Sequence, residues 1–153
     1  MQFAGFWRRF FAYWLDAFPI TVIVGAVFYF FLGFDTTLER YLNRKPNDHD
    51  ARWEFLIARN QIRNLSLTLY FAYCALMEAS SLRGTLGKWI MGIEVVNTDG
   101  SPLNYAQAVK RNSAKTLSFL ALGLGCLCAA WSRNKQGWHD TQVDTFVVKR
   151  SRE

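Results

Sequence analysis

Apolar positions in this chain are gathered into runs, and the charges fall in the gaps between them. A soluble domain interleaves the two at a helical or strand period, so the clustering predicts a membrane protein. The first run, Phe10–Phe34, has 25 residues and one charge, Asp16. As a helix it is long enough to cross about 30 Å of hydrocarbon with some tilt. Trp7, Tyr13 and Trp14 suit its head-group boundary, and Arg8 and Arg9 its cytoplasmic edge. Pro19 cannot donate its amide and displaces the carbonyl of Leu15, so a bend is expected one turn beyond Asp16. Residues 35–62 are too charged for lipid and read as a polar connection with a turn-rich tip at Pro46–Asp50. Part of 51–62 is expected to be helical and to lead into a second apolar segment, Asn64–Leu82, which contains Glu78.

Residues 84–115 change character. Gly84, Gly87 and Gly92 punctuate a segment that ends in the β-type run Ile93–Val96 and the turn Asn97–Gly100. Asn104 and Gln107 have the spacing of a capping box, opening a helix that carries Lys110, Arg111 and Lys115 and is expected to lie along the membrane surface. Residues 116–132 form a third apolar run with Gly123-Leu124-Gly125 in its middle, either a short third span or a re-entrant hairpin. A straight span leaves seven of the 18 Lys and Arg on the N-terminal side, and a re-entrant one leaves twelve. The positive-inside rule favours the second, with the hairpin sheltered against the first two spans. Thr145–Val148 is another β-type run and the natural partner of Ile93–Val96 if both share a side.

The expectation is therefore an all-α integral membrane protein: two transmembrane helices, a third short apolar segment, and a small β-ribbon on the cytoplasmic side. The location that fits is a bacterial inner (plasma) membrane, with the N-terminus cytoplasmic. The net charge of +6 is no argument for nucleic acid, because the basic residues flank apolar runs instead of forming a stripe. Arg8-Arg9 before two phenylalanines has the look of a secretion signal. The long apolar region, the aspartate within it and the lack of a small-x-small cleavage site favour an uncleaved span. Cys74, Cys126 and Cys128 all lie in apolar runs, an odd number without metal-type spacing, and read as buried packing. The cluster Asp48-His49-Asp50 reads as a solvated tip, and no cofactor or metal is expected.

The chemistry concentrates in the buried charges. Arg9 and Asp16 are seven residues apart, about two helical turns, and lie on one face. An ionisable group at mid-bilayer costs roughly 2.5–3.5 kcal/mol by insertion scales, so it needs a partner or a purpose. If the first two apolar segments are antiparallel, Asp16 and Glu78 sit at similar depth and could share a proton or a small cation. No nucleophile–base pair or phosphate loop stands out, so an enzyme is not expected.

These residues together resemble the RDD family of small membrane proteins, named for one arginine and two aspartates. Arg9 (or its neighbour Arg8) and Asp16 match the first two letters, and Asp140 in Gly137-Trp138-His139-Asp140 matches the third. Thr85–Val96 resembles the family's central Gly-Lys and Val-rich segment around Lys88, and Ala106–Asn112 its basic helix around Arg111. Thr141–Asp144 departs from the apolar stretch expected after His139-Asp140. The resemblance implies transport of ions or small solutes, including sodium/proton exchange, or an adaptor role inside larger membrane complexes. Beyond the lipid bilayer, a homo-oligomer or a membrane protein partner is expected, since two and a half spans make a small enclosure.

Overall fold

The computed structural model describes residues 2–120 and 136–150, with side-chain surroundings for all of these except 117–120. It is mostly helical. Helix α1 covers Phe6–Phe31, α2 Phe34–Leu42, α3 His49–Glu78, α4 Leu86–Ile90, α5 Tyr105–Leu120 and α6 Trp138–Thr141. Strands β1, Ile93–Asn97, and β2, Thr145–Lys149, form an antiparallel ribbon. The contacts divide the chain into two units, Ala17–Tyr70 and the remainder, Met1–Asp16 with Phe71–Glu153.

In the first of these, Gly33 takes a left-handed backbone (φ 73°) between α1 and α2, and its carbonyl accepts the hydroxyls of Thr36 and Thr37. The polar connection expected over 35–62 is therefore helical on both sides of its tip. Asp35 in the first turn of α2 and Arg40 in its last suit the helix dipole. Asp48 accepts the Ala51 amide at 3.0 Å and caps α3. The Tyr41 and Phe55 rings stack at 4.1 Å, with the Arg44 guanidinium 3.9 Å over Tyr41. Helix α1 runs unbroken through Pro19. Among the described residues it is the one helix long and apolar enough to cross a membrane; α3 carries too many polar groups along its first half to qualify.

The other unit is built round the ribbon. Ile93 pairs with Lys149 and Asn97 with Thr145, which fixes the register and turns Ile93, Val95 and Val147 into a common core with Ala4, Ala12 and Leu103. The chain start adds a third, very short rung: the Ala4 amide donates to the Val147 carbonyl at 2.9 Å and the Lys149 amide to that of Gln2 at 2.8 Å. On the other edge, the Val95 amide donates to the Arg83 carbonyl at 2.7 Å. Both outer edges of the ribbon thus have part of their backbone satisfied.

The sequence reading and the structure differ in two places here. Helix α3 ends at Glu78 instead of running to Leu82, because Ser80 turns its amide and hydroxyl back onto the Met77 carbonyl. Glu78 therefore sits at a helix end, not a turn and a half inside one. Helix α5 begins with the expected capping box, Asn104 and Gln107 each accepting the other's amide at 2.8–3.0 Å. It does not lie with all its basic residues on a surface, however: Arg111 is 2% exposed. The turn expected at Gly123-Leu124-Gly125 and the cysteines 126 and 128 lie outside the described residues.

Candidate functional site: a buried ion network

Asp140 is set by a single turn of helix. As the third residue of α6 it accepts the Gly137 amide at 3.1 Å, so its carboxylate is aimed before any distant partner arrives. Its Oδ2 also takes Arg9 Nη1 at 2.5 Å. Its Oδ1 takes Nε and Nη2 of Arg111, at 3.0 and 2.5 Å. The free end of the same guanidinium, Nη1, donates to both oxygens of Glu78 at 2.8 Å. Glu78 in turn accepts Lys88 Nζ and the Asn112 amide, the latter at 2.9 Å. A chain of alternating charge results: Arg9, Asp140, Arg111, Glu78, Lys88. It ties α1, α6, α5, α3 and α4 together. Glu78 and Asp140 are fully buried, and Lys88 is 7% exposed.

Arg111 is the hinge of this chain for a geometric reason. Its planar fork presents donors on two edges, so one side chain satisfies two carboxylates at once. Burial alone would lower its pKa, but Glu78 and Asp140 overcome that and hold it above the ordinary arginine value. Burial would likewise raise the Asp140 carboxyl; Arg111, then His139 and Arg9, hold it well below the usual carboxylate range. His139 behaves in the opposite sense. Burial pushes it down to about 3, with Arg111, Lys115 and Arg9 adding to the fall and Asp140 opposing it. At neutral pH its ring is uncharged, and its 3.4 Å approach to Asp140 is not an ion pair. Its Nδ1 is buried without a hydrogen bond among the described residues.

Asp16 has a seat of its own beside this chain. Its Oδ1 accepts the Tyr73 hydroxyl at 3.1 Å and the Gly87 amide at 2.7 Å, and its Oδ2 accepts the Thr85 hydroxyl at 2.5 Å. Thr85 also caps α4 by accepting the Lys88 amide, and Tyr73 accepts the Leu86 amide at 2.9 Å. The seat exists because residue 87 is glycine. A Cβ there would stand 2.3 Å from the Ala12 carbonyl oxygen and 2.8 Å from Asp16 Cγ. With Asp16 counted, three carboxylates face three cations (Arg9, Lys88 and Arg111), so the buried set is neutral overall.

Asp16 and Glu78, paired in the sequence reading as one shared site, thus have separate donors: hydroxyls and an amide for the first, cations and a carboxamide for the second. Segment 85–88 serves both. Arg9 reaches Asp140 across 131 residues. Arg8 is exposed. Tyr73, Thr85 and Asn112 were not foreseen. Thr85 and Asn112 are end residues of the two family-like segments, Thr85–Val96 and Ala106–Asn112, which is the one signal the sequence offered for them. Among the described residues no three His, Cys, Asp or Glu side chains are grouped as a metal would require.

Known proteins bear on this arrangement. The model of the RDD family matches residues 3–143, a span that takes in Arg9, Asp16 and Asp140. An uncharacterized protein of Bacillus subtilis (strain 168), YxaI, is 31% identical over 150 residues, covering 95% of this chain and 96% of the relative. No solved structure matches. On the family match and on this relative, the chain belongs to the RDD family.

Proposed function

We propose that this chain is a non-catalytic membrane domain that serves as an assembly or adaptor module, its ion network locking the cytoplasmic end of the fold. The observation that carries this reading is the closure of the network. Glu78 and Asp140 are wholly buried and already paired with cations of the chain itself, so a transported cation at either would have to displace Arg111 or Lys88. On this reading helix α1 crosses the bilayer. The chain start, the end of α3, α5 from Tyr105 to Asn112, and residues 137–149 share one set of contacts. Both flanks of the third apolar run then share one side, which the positive-inside count supports. That side carries twelve of the 18 basic residues and faces the cytoplasm of a bacterial plasma membrane.

A second reading, transport, is favoured by one observation. Asp16 is buried, and its donors are two hydroxyls and an amide. A carboxylate with no cation of the chain among these donors leaves room for a small cation, which one clamped by arginine does not. Reconstitution separates the two. Purified protein in liposomes is expected to show no cation-driven proton flux, and to co-purify from membranes stoichiometrically with itself or another protein. Flux that Asp16→Asn abolishes would overturn the adaptor reading.

A further inference from the structure

We propose that α4 is a membrane-interface anchor, its outer residues Leu86, Trp89 and Ile90 inserted at the boundary between head groups and acyl chains. This rests on the membrane reading of α1. The three side chains lie at helical spacing i, i+3, i+4 and are 52%, 53% and 63% exposed. The opposite face, Gly87 and Lys88, is buried. A five-residue helix has no stability of its own, so its orientation comes from what holds it. Here that is the Thr85 cap, the Gly87 amide on Asp16 and the Lys88 ammonium on Glu78. The network thus fixes three large apolar side chains pointing outward.

The depth of the helix identifies the occupant of that face. Gly87 is packed on Ala12 and Asp16 of α1. These residues are three and seven positions beyond Arg9, about 5–10 Å along a helix that rises 1.5 Å per residue. With Arg8 and Arg9 at head-group level, α4 lies about 5–10 Å beneath it, the depth at which interfacial helices rest. Tryptophan favours that zone. At the same level α1 exposes Phe11, Trp14 and Leu15. Lys88, the one charge on α4, faces inward to Glu78, as a charge at that depth requires.

Spin labels at Ile90→Cys and, separately, Leu86→Cys test this, with Cys74, Cys126 and Cys128 replaced by alanine. The protein is reconstituted in liposomes of phosphatidylethanolamine and phosphatidylglycerol. Relaxation by oxygen, which enters lipid, is compared with relaxation by an aqueous nickel chelate. Phe18→Cys reports mid-span, and Thr98→Cys, in the exposed turn after β1, reports water. Both α4 labels are expected to favour oxygen over nickel, with a ratio between those of Thr98 and Phe18. Nickel access equal to that at Thr98 would overturn the anchor. So would shielding from both reagents, which would mean that protein, such as a second copy, covers the face. If Phe18 itself reads water, the membrane assignment of α1 fails and takes the anchor with it. If Phe18 reads hydrocarbon and α4 reads water, the anchor alone fails.

Discussion

Gly87→Ala is the smallest change that tests how α4 is held. The new methyl carbon would stand 2.3 Å from the Ala12 carbonyl oxygen, where ordinary contact begins at 3.4 Å. Relief requires α4 to retreat by about 1 Å, because the obstacle is main chain and has no rotamer to change. The same retreat stretches the 2.7 Å bond from the Gly87 amide to Asp16 beyond hydrogen-bonding range. A hydrogen bond to a charged group contributes about 1.5–3 kcal/mol, and alanine returns up to about 1 kcal/mol over glycine within a helix. The net cost is about 1–3 kcal/mol. At roughly 2–4 °C per kcal/mol for a chain of this size, the melting temperature falls by about 2–12 °C. Thermal unfolding in detergent, followed by near-ultraviolet circular dichroism, measures it. In an Asp16→Ala background the hydrogen bond is already gone, so the added cost of Gly87→Ala shrinks by about 1 kcal/mol or more. Ala12→Gly restores nothing, since the clash is with the backbone oxygen. A Gly87→Ala protein as stable as wild type, or one rescued by Ala12→Gly, would refute the close approach of α4 to α1.

Arg111→Lys is expected to destabilise by about 3–5 kcal/mol, as an ammonium cannot bridge Glu78 and Asp140 and one buried carboxylate loses its partner. By contrast Arg40→Ala, at a pair whose side chains are 53% and 49% exposed, should change unfolding by less than about 1 kcal/mol in denaturant titrations. His139 gives a pH signature. Its native pKa of about 3 lies below its unfolded value near 6.5, so its contribution is complete above pH 6.5. It declines as pH falls toward 3, by up to about 1.4 kcal/mol per unit. Asp140, also depressed, adds slope only below its unfolded value near 3.8. Melting temperatures from pH 7 to 4.5 should therefore fall more steeply for wild type than for His139→Asn, and parallel curves would contradict this account.

The sequence was most legible where local pattern and distant partner happened to agree. Two Val-rich runs with β-branched residues could only pair with each other, and they do, in register from Ile93 to Asn97. Asn104 and Gln107 cap a helix through bonds three residues long, which spacing alone encodes. The end of α3 was misread because apolar composition continues to Leu82, whereas the stop is made by one serine hydroxyl at Ser80. The burial of Arg111 was missed for a different reason. On its own helix it reads as a surface cation, and only the arrival of Glu78 and Asp140, 33 and 29 residues away, makes its interior position tolerable. Asp16 and Glu78 were placed at matching depth by helix rise. Spacing could not reveal that the intervening segment 85–88 supplies each with different donors.

The rung between Gln2–Ala4 and Val147–Lys149 has a consequence for synthesis. Residues 2–4 find their backbone partners at positions 147–149, almost the whole described chain later. At about 5–20 residues per second, Arg9 and Ala4 wait roughly seven to thirty seconds for Asp140 and Val147 to be made. Throughout that interval α1 carries an arginine whose carboxylate does not yet exist and an Asp16 whose seat on α4 is still being translated. Closure of the network around α1 therefore waits for residues 137–149, and a chain that stalls before them lacks the Asp140 carboxylate that Arg9 reaches in the fold.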